Sequence, residues 1–253
     1  MTRRIEGEAN YFASMTDMTI GVLFILIIMI AYFAHQNSSQ NPIPIYIDQG
    51  EEQRKGIAKM VAQGLRNKEI DAVVSPRNPG VVTLRGANLF PVGDSALTPE
   101  AKKTISYLAQ VIRDETACFV TALTPVSRQR QCNPNRVFIE AIFVEGHTDD
   151  QPVKTVLPDG SKNNLELSAR RSTNTLDAMI QAAPELANYT NLDREPVLSV
   201  AAYGEQRPIV PNSDEVSRDR NRRIDIRFVM WIPKSIESYH NQLDRLEEAI
   251  RKR

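Results

Sequence analysis

A chain of 253 residues is long enough for one large domain, or for one ordinary domain with extensions. Its 31 basic and 31 acidic side chains cancel, so no net field draws it to nucleic acid. The two cysteines, Cys118 and Cys132, lack the close pairs and companion histidines of a zinc site, which leaves no metal centre to expect.

No residue from Met18 to Ala34 is charged. Extended back to Ala13, the run reaches the ~20 residues a helix needs to cross ~30 Å of hydrocarbon. We read a short N-terminus over 1–12 and a transmembrane helix over 13–35. Signal cleavage wants small residues before the cut, and Tyr32 and Met29 occupy those places for cuts after Ala34 and Ala31. The segment therefore reads as an uncleaved single-pass anchor. Arg3 and Arg4 precede it and no Lys or Arg follows until Arg54, which puts the N-terminus in the cytoplasm and the rest outside. In a bacterium that is the inner membrane with a periplasmic remainder, where disulfides persist. Asp17 sits about one turn inside one end of the span. A carboxylate costs ~2.5–3.5 kcal/mol at mid-bilayer and less near the edge, so such a group normally faces a partner helix or water. The alternative is that Asp17 caps the helix that starts with the apolar run.

Residues 36–69 form a linker with an amphipathic helix. Pro42 and Pro44 favour extended chain, and Ile43 to Ile47 is apolar enough to dock on a neighbour or occlude something. From Glu51 to Lys68, Ile57, Met60, Val61 and Leu65 recur at helical spacing, so that face packs on something, its own copy in a dimer included. A compact domain spans 70–232. It opens with short β-type runs at Val73-Val74 and Val81 to Leu84, a hairpin with a loose loop. Thr98-Pro99-Glu100 starts a helix, and 117–136 reads as an irregular insertion. Cys118 and Cys132 bracket it in an oxidising compartment and are predicted to be bonded, closing a loop worth ~3 kcal/mol. Val137 to Val144 is a strand, Leu165 to Ile180 a helix, and Val197 to Tyr203 and Ile224 to Trp231 are strands. Residues 233–253 are a charged amphipathic helix. The fold class is α+β: a transmembrane helix, a linker helix, then an α/β sandwich with helices on one face of a small mixed sheet.

Three segments carry the chemistry: Gly146-His147-Thr148-Asp149; Asn164-Leu165-Glu166-Leu167-Ser168-Ala169-Arg170-Arg171; and, after Tyr203-Gly204-Glu205, Asn221-Arg222-Arg223. Taken together they resemble the OmpA-like peptidoglycan-binding domain: a strand ending in G-H-T-D, a helix beginning N-x-x-L-S-x-x-R, and N-R-R before the last strand. The resemblance covers roughly residues 75–232. It implies that Asp149 and Arg171 grip the diaminopimelate of a stem peptide, with Thr148, Asn164, Leu167 and Arg222 as walls or scaffold. The chemistry suits a zwitterion, since an ammonium wants a carboxylate and a carboxylate wants a bidentate guanidinium. Read without the resemblance, Asp149 is an Asx-turn and Arg171 a solvated helix charge. Ser172 departs from the alanine usual in the family. His147 reads as a hydrogen-bonded loop residue, and no nucleophile accompanies it and Asp149, so neither an enzyme nor a cofactor is expected.

A membrane helix with an internal Asp, a linker and this domain is also the layout of MotB-like motor B subunits. That resemblance implies two copies of the chain inside a ring of five multi-span A subunits. Asp17 would take up and release a proton, with sodium as the alternative ion. Flagellar members usually place Trp and an aromatic-small pair before the aspartate, whereas Ser14-Met15-Thr16 stand here. Ser-Met-Thr-Asp-Met with Phe33-Ala34 is more similar to ZorB, the B subunits of Zorya antiphage defence motors. A Zorya-type rotary motor is therefore the first expectation, a flagellar-type stator the second, and a purely structural peptidoglycan tether the third. Homodimers and peptidoglycan are the expected partners.

Overall fold

The computed structural model describes residues 2–39, 42–86, 89–121 and 131–251. They fall into two compact units, Met1–Pro44 and Ile45–Arg253.

In the first unit, α1 runs unbroken over Thr2–Ser39. At 1.5 Å per residue it is ~57 Å long, well beyond a bilayer core. Met18–Gln36 has a mean hydropathy of 2.3 and buries nothing within the chain. Ile20, Phe24, Ile27 and Ile30 are all more than half exposed. A helix apolar on every side suits lipid or partner helices rather than water. The backbone of Asp17 is described, while its side chain lies outside the described residues. Helix continues upstream to Thr2. An N-cap needs non-helical backbone, so Asp17 does not cap this helix.

The second unit holds the remaining elements. Helix α2 covers Ile43–Arg66, so the proline segment expected to be extended is largely helical. The reason is positional: Pro44 falls in the first turn, where a missing N–H leaves no helix bond unmade. Ile57, Ala58, Val61, Ala62 and Leu65 are fully buried in this chain's own core. The apolar face of α2 is thus occupied within the chain and gives no argument for a dimer. Met60, expected on that face, is exposed.

Strands β1 (Ala72–Val74), β2 (Val81–Arg85), β3 (Ile139–His147), β4 (Leu198–Gly204) and β5 (Arg223–Met230) form one sheet in the order β1-β2-β5-β3-β4. Only β3 and β4 run parallel. The loop of the β1–β2 hairpin is not loose, because Arg54 of α2 donates to Asn78 Oδ1 at 2.6 Å. Helix α3 (Pro99–Thr116) starts as its sequence demands, with Pro99 in the first turn and Thr98 Oγ1 accepting from Ala101 N at 3.0 Å. Helix α4 (Asn164–Ala182) has Asn163 as its cap, accepting from Glu166 N, while Glu166 accepts in return from Asn163 Nδ2 and from Lys162 N. The reciprocal pair fixes where the helix begins. A two-turn helix, α5 (Glu215–Asn221), and a C-terminal helix, α6 (Ile236–Arg251), complete the fold.

Alternation sorts the sheet's faces. Ile142 and Val144 of β3 and Ile224, Ile226 and Phe228 of β5 join α2, α3 and α4 in one core. Gly146 lies where α4 crosses β3, and a Cβ there would collide with the Ser168 carbonyl and the Ser172 hydroxyl. Ser172 uses its hydroxyl, which lies 2.9 Å from the Ala201 carbonyl and 3.0 Å from that of Ser168. Cys118 and Cys132 form a disulfide with Cα atoms 6.0 Å apart. Residues 122–130 of the insertion lie outside the described residues.

Candidate functional site: the end of β3 and the start of α4

Strand β3 delivers Thr148 and Asp149 to the carboxyl end of the parallel β3–β4 pair, where the first turn of α4 also arrives. Thr148 N donates to the Gly204 carbonyl at 2.9 Å. Gly204 has φ +52°, and Leu165 N would lie 3.1 Å from a Cβ on it, so glycine suits the position twice over. Asn164 holds the loop by donating to the Gln151 carbonyl at 2.9 Å and the Asp149 carbonyl at 3.4 Å. Thr148 is buried, with its hydroxyl on the Asp149 carbonyl. These two residues are scaffold for the turn.

The Asp149 side chain accepts from Gln151 N through Oδ1 at 2.9 Å and from Arg222 Nη1 through Oδ2 at 2.6 Å. The Asx-turn and the charged site are therefore one arrangement. Arg222 also reaches Glu215 at 2.7 Å and Asp219 at 3.5 Å. Burial pulls its pKa down, but the hydrogen bonds to Asp149 and Glu215 outweigh it and the pKa is raised.

Arg171 is not a solvated helix charge. It is 5% exposed, with Nε donating to the Asp94 carbonyl at 2.9 Å and Nη2 to the Pro91 carbonyl at 3.2 Å. Its guanidinium lies 5.0 Å from the centre of the Phe90 ring. Burial lowers its pKa to about 10, against the opposing pull of Asp149 and Asp159, so it stays charged at neutral pH. Asp94 in turn accepts from Ser95 N and Ala96 N, making the 91–96 turn a rigid rim. Sequence reasoning missed this rim, although Pro91, Gly93, Asp94 and Ser95 are turn-forming residues. Leu167 is buried beneath the site. Leu165 instead lines a cleft of about 290 Å³ with Pro152, Val153, Asn164, Tyr203 and Glu205.

Behind the turn, His147 is not a loop residue but the last residue of β3, and it is not alone. Glu145, His147 and Asp225 place ligand-type atoms within 4.8 Å of one another, all buried. Strand register does this by setting Glu145 opposite Asp225 and His147 opposite Arg223. Both carboxylates are already committed, Glu145 to Arg227 by two contacts of 2.7 Å and Asp225 to Arg223 at 3.0 Å and Thr83 at 2.7 Å. A metal ion would have to displace those guanidiniums, so we assign none. His147 stacks on Tyr203 and its Nε2 lies 3.3 Å from Asp225 Oδ2.

Burial pushes the His147 pKa down, more than Asp225 raises it, and nearby Arg223 also lowers it. The unfolded ring takes a proton below ~6.5 whereas the folded one resists, so stability is lost as pH falls from ~6.5 toward the depressed folded value. Asp225 is also lowered, its hydrogen bond to His147 and the charge of Arg223 outweighing burial, and it removes further stability at lower pH. We expect the urea midpoint of the full chain to fall between about pH 7.5 and about pH 5.5, with a slope of up to ~1.4 kcal/mol per pH unit from the histidine. His147→Gln should flatten that fall. An identical slope in both proteins would place the titrating group elsewhere.

No protein-family model matches the chain. In structure it is similar to a putative MotB like protein from Desulfovibrio vulgaris (TM-score 0.47, 22% identity, 74% of this chain and 98% of that one). It is also similar to the periplasmic domain of Helicobacter pylori MotB, residues 78–256 (TM-score 0.42, 26% identity, 65% and 84%). A third likeness is to the cell wall anchor of the T6SS from Pseudomonas aeruginosa (TM-score 0.46, 19% identity, 68% and 96%). Motility protein B of Bacillus subtilis (strain 168) is 25% identical over 176 residues, which are 70% of this chain and 56% of that protein. The chain thus spans little more than half the length of this relative. In sequence, it is similar to a bacterial motility protein B.

Proposed function

We propose that this chain is the B subunit of an ion-driven rotary motor of the bacterial inner membrane, held to peptidoglycan by its C-terminal domain. One observation carries the reading: motifs far apart in sequence converge, Asp149 of G-H-T-D meeting Arg222 of N-R-R within electrostatic reach of Arg171. A site of fixed charges beside a cleft suits a stem-peptide zwitterion, and the similarity to motility protein B points the same way. In this reading α1 crosses the membrane with its N-terminus in the cytoplasm, and Asp17 carries the ion, a proton first and sodium second. Two copies of the chain sit within five multi-span A subunits. The residues around Asp17 favour the Zorya antiphage motor over the flagellar-type stator.

The wall-binding half is tested by co-sedimenting the detergent-solubilised full chain with purified sacculi. Asp149→Ala removes one charge-assisted bond to the ligand, worth roughly 1.5–3 kcal/mol, or about 10- to 150-fold in affinity. Undiminished sedimentation of the variant would move the wall-binding site elsewhere.

A further inference from the structure

Both oxygens of the Asp149 carboxylate are taken before any ligand arrives, one by Gln151 N and one by Arg222. The backbone amide is fixed by the turn, but the guanidinium is exchangeable. It is shared among three carboxylates, with Glu215 at 2.7 Å and Asp219 at 3.5 Å already touching Nη2. Arg222 can release Asp149 without losing every anionic partner. Its main chain is held on both sides, Arg222 N donating to the Arg218 carbonyl at 2.9 Å and Gly86 N donating to the Arg222 carbonyl at 2.7 Å. Exchange is thus a swing of the side chain alone.

We propose, building on the peptidoglycan-binding reading, that Arg222 is an internal occupant of the cation subsite on Asp149, and that a ligand ammonium binds by displacing it toward Glu215 and Asp219. The swap replaces one cation by another on Asp149, so the charge beside that carboxylate does not change. Selectivity follows. A bare amine gains little, because it merely replaces a preorganised guanidinium that forms a close ion pair. A zwitterionic amine on a peptide recovers the cost through its carboxylate and through contacts in the cleft of Pro152, Val153, Leu165 and Tyr203. Arg222 becomes a specificity-determining residue rather than a passive wall.

The test uses the full chain in detergent, with free meso-diaminopimelate and purified sacculi as probes and two variants of opposite expected sign. Arg222→Gln removes the competitor and should bind diaminopimelate about tenfold tighter, the equivalent of ~1.4 kcal/mol. Glu215→Gln/Asp219→Asn removes the carboxylates that receive the guanidinium, holds Arg222 on Asp149, and should bind several-fold more weakly. Opposite shifts support the exchange. Wild-type binding with Arg222→Gln equal or weaker, or with both variants shifted the same way, overturns the proposal and leaves the wall-binding reading standing. A wild-type chain that binds neither probe overturns both.

Discussion

On the proposed motor role, a chain carrying Asp17→Asn is expected to insert and assemble as the wild type does and to lose motor function outright. Asparagine keeps the size and hydrogen-bonding reach of aspartate but cannot take up and release a proton. Insertion becomes easier rather than harder, since the carboxylate's cost in hydrocarbon disappears. Because Asp17 lies inside the continuous helix α1, the substitution removes no N-cap and gives the helix no reason to fray. The measurement is ion flux, or phage plaque formation, in cells holding the chain and the proposed A subunit, with membrane-inserted protein quantified alongside. Full activity at wild-type abundance would remove the ion-carrier role and leave a tether.

Arg171→Ala should cost stability as well as binding, and the two losses can be read apart. The substitution removes a buried guanidinium, leaves the part-buried Pro91 and Asp94 carbonyls without their donors and takes the cation from the Phe90 ring. The two lost hydrogen bonds, the lost ring contact and the vacated volume correspond to about 2–4 kcal/mol. Asp149→Ala is milder, because Arg222 keeps Glu215 and Asp219, and about 1 kcal/mol is expected from the lost turn bond. Urea titration of the full chain, followed by circular dichroism, should show a large shift in midpoint for the first variant and a small one for the second. An unmoved midpoint in Arg171→Ala would mean that the guanidinium stands free in solution. Sedimentation with sacculi should fall in both, so a loss in Asp149→Ala reports on the site itself.

What could be read in advance follows from how local each signal is. Helices α3 and α4 announce themselves because apolar spacing and capping residues agree over neighbouring positions, Thr98 with Pro99 and Asn163 with Glu166. The start of α2 misled because proline is judged by its place in a helix, and only the structure shows Pro44 in a first turn. Helix α5 is too short to display a period. At the site, the motifs named Asp149 and Arg171, but not what holds them. Arg222 is 73 residues from Asp149 in the chain. Without the resemblance Arg171 reads as a surface charge, because nothing in its own helix foretells the 91–96 turn that covers it. The companions of His147 come from the register between β3 and β5, a non-local property that a one-residue slip would erase.

The ion pairs on the sheet face turned away from the helices have one more effect. A five-stranded sheet with helices on a single side has a second face that could stack, dry, against another copy and seed precipitation. Here that face carries Glu145 and His147 of β3 with Arg223, Asp225 and Arg227 of β5. Glu145, His147, Arg223 and Asp225 are already buried within the chain, and of the five only Arg227 keeps much contact with water, so a neighbour stacking here would have to desolvate that guanidinium. At the near edge, β1 offers only three residues to a foreign strand. Of the ion pairs that orient the end of β3, the part-exposed Arg227 side of Arg227–Glu145 thus also sets a desolvation cost against stacking of copies on this face.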